Sequence, residues 1–200
     1  MSRLATSFVL GYHGCDKAIG LKAVTGDISI IQSDSSFDWL GPGAYFWESD
    51  PLRALEWAHW KAKRGDYDKP YVVGAVIDLG HCLDLISRED IEILHEAYLD
   101  FLKVQKKSGL PMPVNKSAPG QRDADRLLRY LDCAVVKHLH SIIGDSDPYD
   151  TVRGMFTEGG KLYPKSGFKT RTHVQIAVRN MDCIKGLFIP RPYPATQNPD

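Results

Sequence analysis

The chain has 200 residues, 43% hydrophobic and 10% aromatic, enough to bury one substantial core and about the length of a single domain. Its 25 basic residues equal its 25 acidic ones, which excludes the global field of a dedicated nucleic-acid or anionic-membrane binder and leaves only local patches. Cys15, Cys82, Cys133 and Cys183 lie far apart with no Cys-x-x-Cys pair, and no apolar run nears the roughly 20 residues of a membrane span. The expectation is a soluble, cytoplasmic protein with reduced thiols, no leader and no membrane partner.

In chain order, Phe8-Val9-Leu10-Gly11-Tyr12 reads as a buried strand ending in a turn at His13-Gly14. Residues 15–40 have no clean period beyond a short helix near 19–24. Gly41-Pro42-Gly43 is a tight turn into the short aromatic strand Ala44-Tyr45-Phe46-Trp47. Asp50 as N-cap, Pro51 at the first helical position and Leu52, Leu55, Ala58 and Ala62 at helical spacing predict a helix over 51–64. Residues 71–79 are β-branched and predict a central strand. Ser87 with Asp90 forms a capping-box pattern before a second helix through Leu102.

Residues 107–121, with Pro111, Pro113, Pro119 and Gly120, read as a loop or insertion, and a long helix follows over 123–142. Three strands, 151–157, 172–178 and 183–189, precede an extended tail over 190–200 marked by Pro190, Pro192 and Pro194. The class is α+β, a single domain over 1–200 with strands at both ends and helices between. Cys133, His138 and His140 share the long helix, but i and i+2 point to different faces, so that pair cannot chelate one ion and no metal is expected.

Three segments carry chemistry: Tyr12-His13-Gly14, Gly41-x-Gly43-x-Tyr45-Phe46, and Thr172-His173-Val174-Gln175-Ile176. Gly-x-Gly here precedes a strand and lacks a third glycine, so it is no dinucleotide fingerprint. In this order the segments resemble the ADP-ribosyltransferase superfamily, in its His-Tyr-Glu branch of diphtheria toxin and the poly(ADP-ribose) polymerases. The resemblance implies a split mixed β-sheet core with flanking helices, NAD+ as co-substrate, and a third signature residue on a late strand, where this chain has Gln175 in place of glutamate.

On that resemblance His13 would hold ribose hydroxyls and Gly14 would let the backbone approach the carboxamide. Tyr45 would stack on the cationic nicotinamide ring, with Trp57 either supplying the other face or simply packing. Ser49 is a further polar candidate at the helix entrance. Cleavage of the bond from C1′ to the ring nitrogen passes through an oxocarbenium-like state and needs negative charge near the ribose. Gln175 accepts a hydrogen bond but carries no charge. Glu158, read at a strand end before a loop running to Thr170, is either that charge or a solvated turn residue.

The implied function is transfer of ADP-ribose from NAD+ to a protein, RNA or DNA acceptor, in a bacterial toxin or defence effector with a possible antitoxin or immunity protein as partner. NAD+ glycohydrolase, an RNA 2′-phosphotransferase-like enzyme and a catalytically silent ADP-ribose or protein-binding module remain as alternatives.

Overall fold

Strand-forming runs at both ends of the sequence meet in one sheet. The computed structural model describes residues 8–117 and 126–191. Along the chain come β1 (Phe8–Asp16), α1 (Lys17–Thr25), β2 (Ala44–Glu48), α2 (Pro51–Lys63), β3 (Pro70–Asp78), β4 (Cys82–Asp84), α3 (Arg88–Ser108), α4 (Tyr130–Ile143), β5 (Thr151–Lys161), β6 (Lys169–Val178) and β7 (Ile184–Phe188). The strand order is β4-β5-β6-β2-β1-β3-β7, with β4 and β5 parallel and the other pairs antiparallel. The class is therefore α+β on a seven-stranded mixed sheet. No helix among the described residues is long and apolar enough to cross a membrane.

Because side chains alternate along a strand, the sheet has two apolar faces. On one, Phe46, Val73, Ala75, Ile77, Ile176 and Val178 pack with Ala23 of α1 and Ile30 beyond it. On the other, Leu83, Val152, Phe156 and Ala177 pack with Ala97 of α3 and with Val135, Val136 and Leu139 of α4. Trp47 and Val72 on that same side bury Ala54 of α2.

Several local expectations are corrected. The first strand does not turn at His13-Gly14 but continues to Asp16, since β3 pairs with it through Asp16↔Pro70. Asp16 then caps α1 through Ala18 N at 2.9 Å, while its other oxygen accepts from the amides of Asp68 and Lys69. Ser87 occupies the N-cap of α3 without a side-chain bond, and the Asp90 carboxylate accepts instead from Asp84 N at 2.9 Å, tying the helix to β4. Helix α3 runs into the expected loop as far as Ser108, closing on the left-handed Gly109.

Helix α4 starts at Tyr130, where Asn115 serves its first turn by accepting from Leu131 N at 2.8 Å. The expected helix start at 123–125, the loop end at 118–121 and the tail over 192–200 lie outside the described residues. The short β4 has no counterpart in the sequence reading, and β5 and β6 extend past the expected 157 and 172 to form a longer hairpin.

All four cysteines are free. Burial pushes the Cys15 thiol up to about 11 and the Cys82 thiol up to about 12, so neither is a ready thiolate nucleophile at neutral pH.

Candidate functional site

Strands β1 and β2 pair only through Gly11↔Glu48 and Tyr12↔Trp47. Just past that short ladder His13 Nδ1 lies 2.8 Å from Tyr45 O. A carbonyl only accepts, so Nδ1 carries the proton and Nε2 presents a lone pair. Burial holds the imidazole below its usual value, the Tyr45 carbonyl offsetting only part of that, so His13 is a neutral acceptor at pH 7. Its ring sits 5.6 Å from that of Phe46.

The other residues of the first two segments have structural work of their own. Gly14 is buried directly beneath α2, where a Cβ would collide with the Ala54 carbonyl and lie 3.3 Å from Ala58 N. The requirement for glycine visible here is close helix-on-strand packing. The Tyr45 hydroxyl donates to Gly41 O at 2.7 Å and accepts from Leu40 N at 2.9 Å, bracing the turn that enters β2. Its ring packs on the α3–α4 side of the core, and burial raises its phenol well above the usual range.

Ser49 is exposed, with a left-handed backbone (φ 54°) and its amide bonded to Leu10 O. Trp57, half-buried on α2, stacks on Trp60 (4.8 Å, 27°) and lies 6.1 Å from Trp47. Its ring partners are those two tryptophans, and Tyr45 is not among them.

The third segment meets Glu158 in a buried polar cluster. Register pairs Gly154↔Gln175, Phe156↔His173, Glu158↔Arg171 and Trp47↔Gln175, so Trp47, Phe156, Glu158, His173 and Gln175 share one face of the sheet. Glu158 is not a solvated turn residue. It stands within β5, 5% exposed, and accepts from Arg53 Nη2 of α2 at 2.9 Å. Arg53 is at the start of the helix that Asp50 caps (Oδ1 to Arg53 N, 2.9 Å), which fixes its direction across the sheet.

His173 joins the two expected residues. Its Nδ1 donates to Arg171 O at 2.9 Å and lies 3.7 Å from Glu158 Oε2. Its Nε2 must then accept, and it does so from Gln175 Nε2 at 3.1 Å. The Gln175 amide is thereby oriented, with its NH2 held by His173 and its Oε1 turned away. Burial draws His173 below its usual value against the opposing pull of the Arg171 carbonyl and Glu158. Trp39 stacks on the imidazole (6.2 Å, 28°) and meets Phe156 edge-on at 4.6 Å. Two buried donors beside this cluster, Trp47 Nε1 and Arg53 Nε, have no partner among the described residues.

Of the expected residues, the fold brings Glu158 and Gln175 together through His173, with Tyr45 and Trp57 on the same side of the sheet. His13 is not brought into that cluster. Tyr12, Trp47 and Gln175 are aligned across three strands, so His13, one residue further and packed on Phe46, faces the opposite side. That opposite side carries a charged network absent from the sequence reading. Arg153 grips Glu48 with two bonds (Nε 2.6 Å, Nη2 3.0 Å) and Asp84 with a third (Nη1 2.9 Å).

Arg53, His173 and Trp39 were also missed as site residues. Only His173 left a signal, two positions before Gln175 on the same strand face. On α4, His138 bonds Asp100 at 2.9 Å and His140 packs on Tyr149, and no group of three possible metal ligands occurs among the described residues. Comparison with protein-family models, with curated proteins and with solved structures finds no match for the chain.

Proposed function

We propose that this chain is an ADP-ribosyltransferase that uses NAD+ as donor, on an ADP-ribosyltransferase-like split sheet. One observation carries the reading: Glu158, Gln175, Tyr45 and His13, far apart in sequence, stand on the four consecutive strands β5-β6-β2-β1, and the β1–β2 ladder ends at Tyr12↔Trp47, one residue before His13. A donor bound where the two strands part would meet the His13 lone pair on one face of the sheet, with Trp47 and Gln175 buried on the other.

On this reading His13 Nε2 accepts from a ribose hydroxyl and Gln175 Oε1 accepts from another as C1′ takes on oxocarbenium character. Nicotinamide leaves neutral, so no general acid is required. Glu158 is already paired with Arg53 and stands 3.7 Å from His173, so its part is electrostatic, supporting the buried cluster in which His173 orients the Gln175 amide. Tyr45 holds the turn that positions β2. The biological setting proposed is a toxin or defence effector, with a protein or nucleic acid as acceptor.

Labelled NAD+ incubated with the protein and with separate protein, RNA and DNA fractions tests this. Nicotinamide release with label retained on one fraction is expected, and Gln175→Ala should lower both donor binding and rate. Free ADP-ribose as sole product would make the chain a glycohydrolase. The Arg53–Glu158 pair, which neutralises the cluster's carboxylate, favours a second reading as an ADP-ribose or protein-binding module. Binding of ADP-ribose with no nicotinamide released would establish that one instead.

A further inference from the structure

The β5–β6 hairpin projects beyond the cluster and differs in character from the rest of the chain. Its tip exposes Leu162 (59%), Tyr163 (55%) and Phe168 (68%). Between Gly159 and Thr172 stand Lys161, Lys165, Lys169 and Arg171 and no acidic residue, in a protein whose net charge is zero. Hydrogen bonds close the tip: Leu162 N bonds Phe168 O, Ser166 N bonds Tyr163 O, and the buried Ser166 accepts from Phe168 N through its hydroxyl. Register places Lys161 directly opposite Lys169, whose ammonium also donates to the Thr157 carbonyl at 3.3 Å, so cations stand on both strands of the hairpin.

The hairpin base adjoins α2 through Arg171 and Glu56 (3.7 Å). There the stacked Trp57–Trp60 pair carries Arg64 over Trp60 at 4.6 Å and Lys61 over Trp57 at 5.9 Å. Asp66 neutralises part of that helix's charge, at 3.1 Å from Lys61 and 3.5 Å from Arg64, and Glu56 lies near Arg171 of the hairpin. Flat aromatic faces interleaved with cations match unpaired bases joined by phosphates, since bases stack and the backbone tracks the cations.

We infer that the hairpin tip and the adjoining face of α2 form a binding surface for single-stranded nucleic acid. The inference concerns binding and is independent of the NAD+ chemistry.

Fluorescence anisotropy with labelled twelve-nucleotide oligouridylate and oligothymidylate, without NAD+, tests it on the whole chain. Single strands should bind with log K falling against log salt at a slope of about −3, from roughly 0.7 per phosphate contact over four cations. The double variant Tyr163→Ala/Phe168→Ala should bind about tenfold or more weakly with the slope kept. Lys161→Ala/Lys165→Ala should flatten the slope, and Lys103→Ala/Lys106→Ala on α3 should leave binding unchanged. Circular dichroism checks that each variant is folded. Absence of single-strand binding, or a Tyr163/Phe168 variant that binds like the parent, overturns the inference. So does sedimentation with phosphatidylserine vesicles, lost in that variant, when no oligonucleotide binds. Because no donor is present, failure of the transferase reading leaves this result untouched.

Discussion

Replacing Glu158 by glutamine tests whether the buried ion pair is structural, chemical or both. Its carboxylate is 2.9 Å from Arg53 Nη2, with side-chain exposures of 6% and 16%, so water screens the pair weakly. Removing one charge from a buried pair costs about 3 to 5 kcal/mol, because the partner is left charged and poorly solvated. Glutamine keeps the shape and one acceptor oxygen, and Arg53 retains Glu56 at 3.4 Å, half exposed. We therefore expect a loss of about 2 to 3 kcal/mol, which for a chain of this size lowers Tm by roughly 4 to 12 °C. Thermal melts of Glu158→Gln, Arg53→Leu and the double variant close a mutant cycle, and the double variant should recover much of the loss. On the folded single variant donor affinity and NAD+ turnover should fall together, as for Gln175→Ala, because Glu158 acts through the orientation of the Gln175 amide. An unchanged Tm would refute the energetic argument. A lowered Tm with full turnover would leave Glu158 a purely structural residue.

Tyr45→Phe leaves Leu40 N and Gly41 O without their shared hydroxyl, at a cost of about 1 to 2 kcal/mol read from denaturant melts, while NAD+ affinity by calorimetry should hardly move. A variant as stable as the parent would remove Tyr45 as the brace of that turn. The pH dependence follows from the histidines. Burial, and secondarily Arg179, lower His140 to about 4, and burial lowers His13 and His173 as well. The folded state then binds fewer protons than the unfolded one below pH 6.5, so stability is full above that value and falls as pH drops toward about 4. Melts between pH 7.5 and 4.5 should show this decline, and His140→Leu should make it shallower. A variant profile parallel to the parent's would exclude His140 as a contributor.

Element existence was largely legible because it rests on local chemistry. Asp50-Pro51 opens α2 and the β-branched run forms β3 where the pattern placed them, while Glu158 and Gln175 stand on adjacent strands four register positions apart, with His173 between them. Extents were less legible. Gly159, Gly160 and the lysines read as a loop, yet antiparallel pairing carries β5 and β6 through them across a bulge. The capping box failed because Asp90 found a better donor on β4, a strand too short to leave a pattern.

The sequence by itself determined the α+β class, the capped helix, the reactive-group inventory and the turn at Gly41-Pro42-Gly43 that leads into the strand of Tyr45. Those follow from side-chain period, caps and backbone preference, which act within a few residues. Only the tertiary structure decided that Glu158 is buried against Arg53, that Gln175 is oriented by His173, and that His13 faces away from both. Burial and partnership depend on which strands become neighbours and on the parity of their register, and one residue of register turns a side chain to the other face of the sheet.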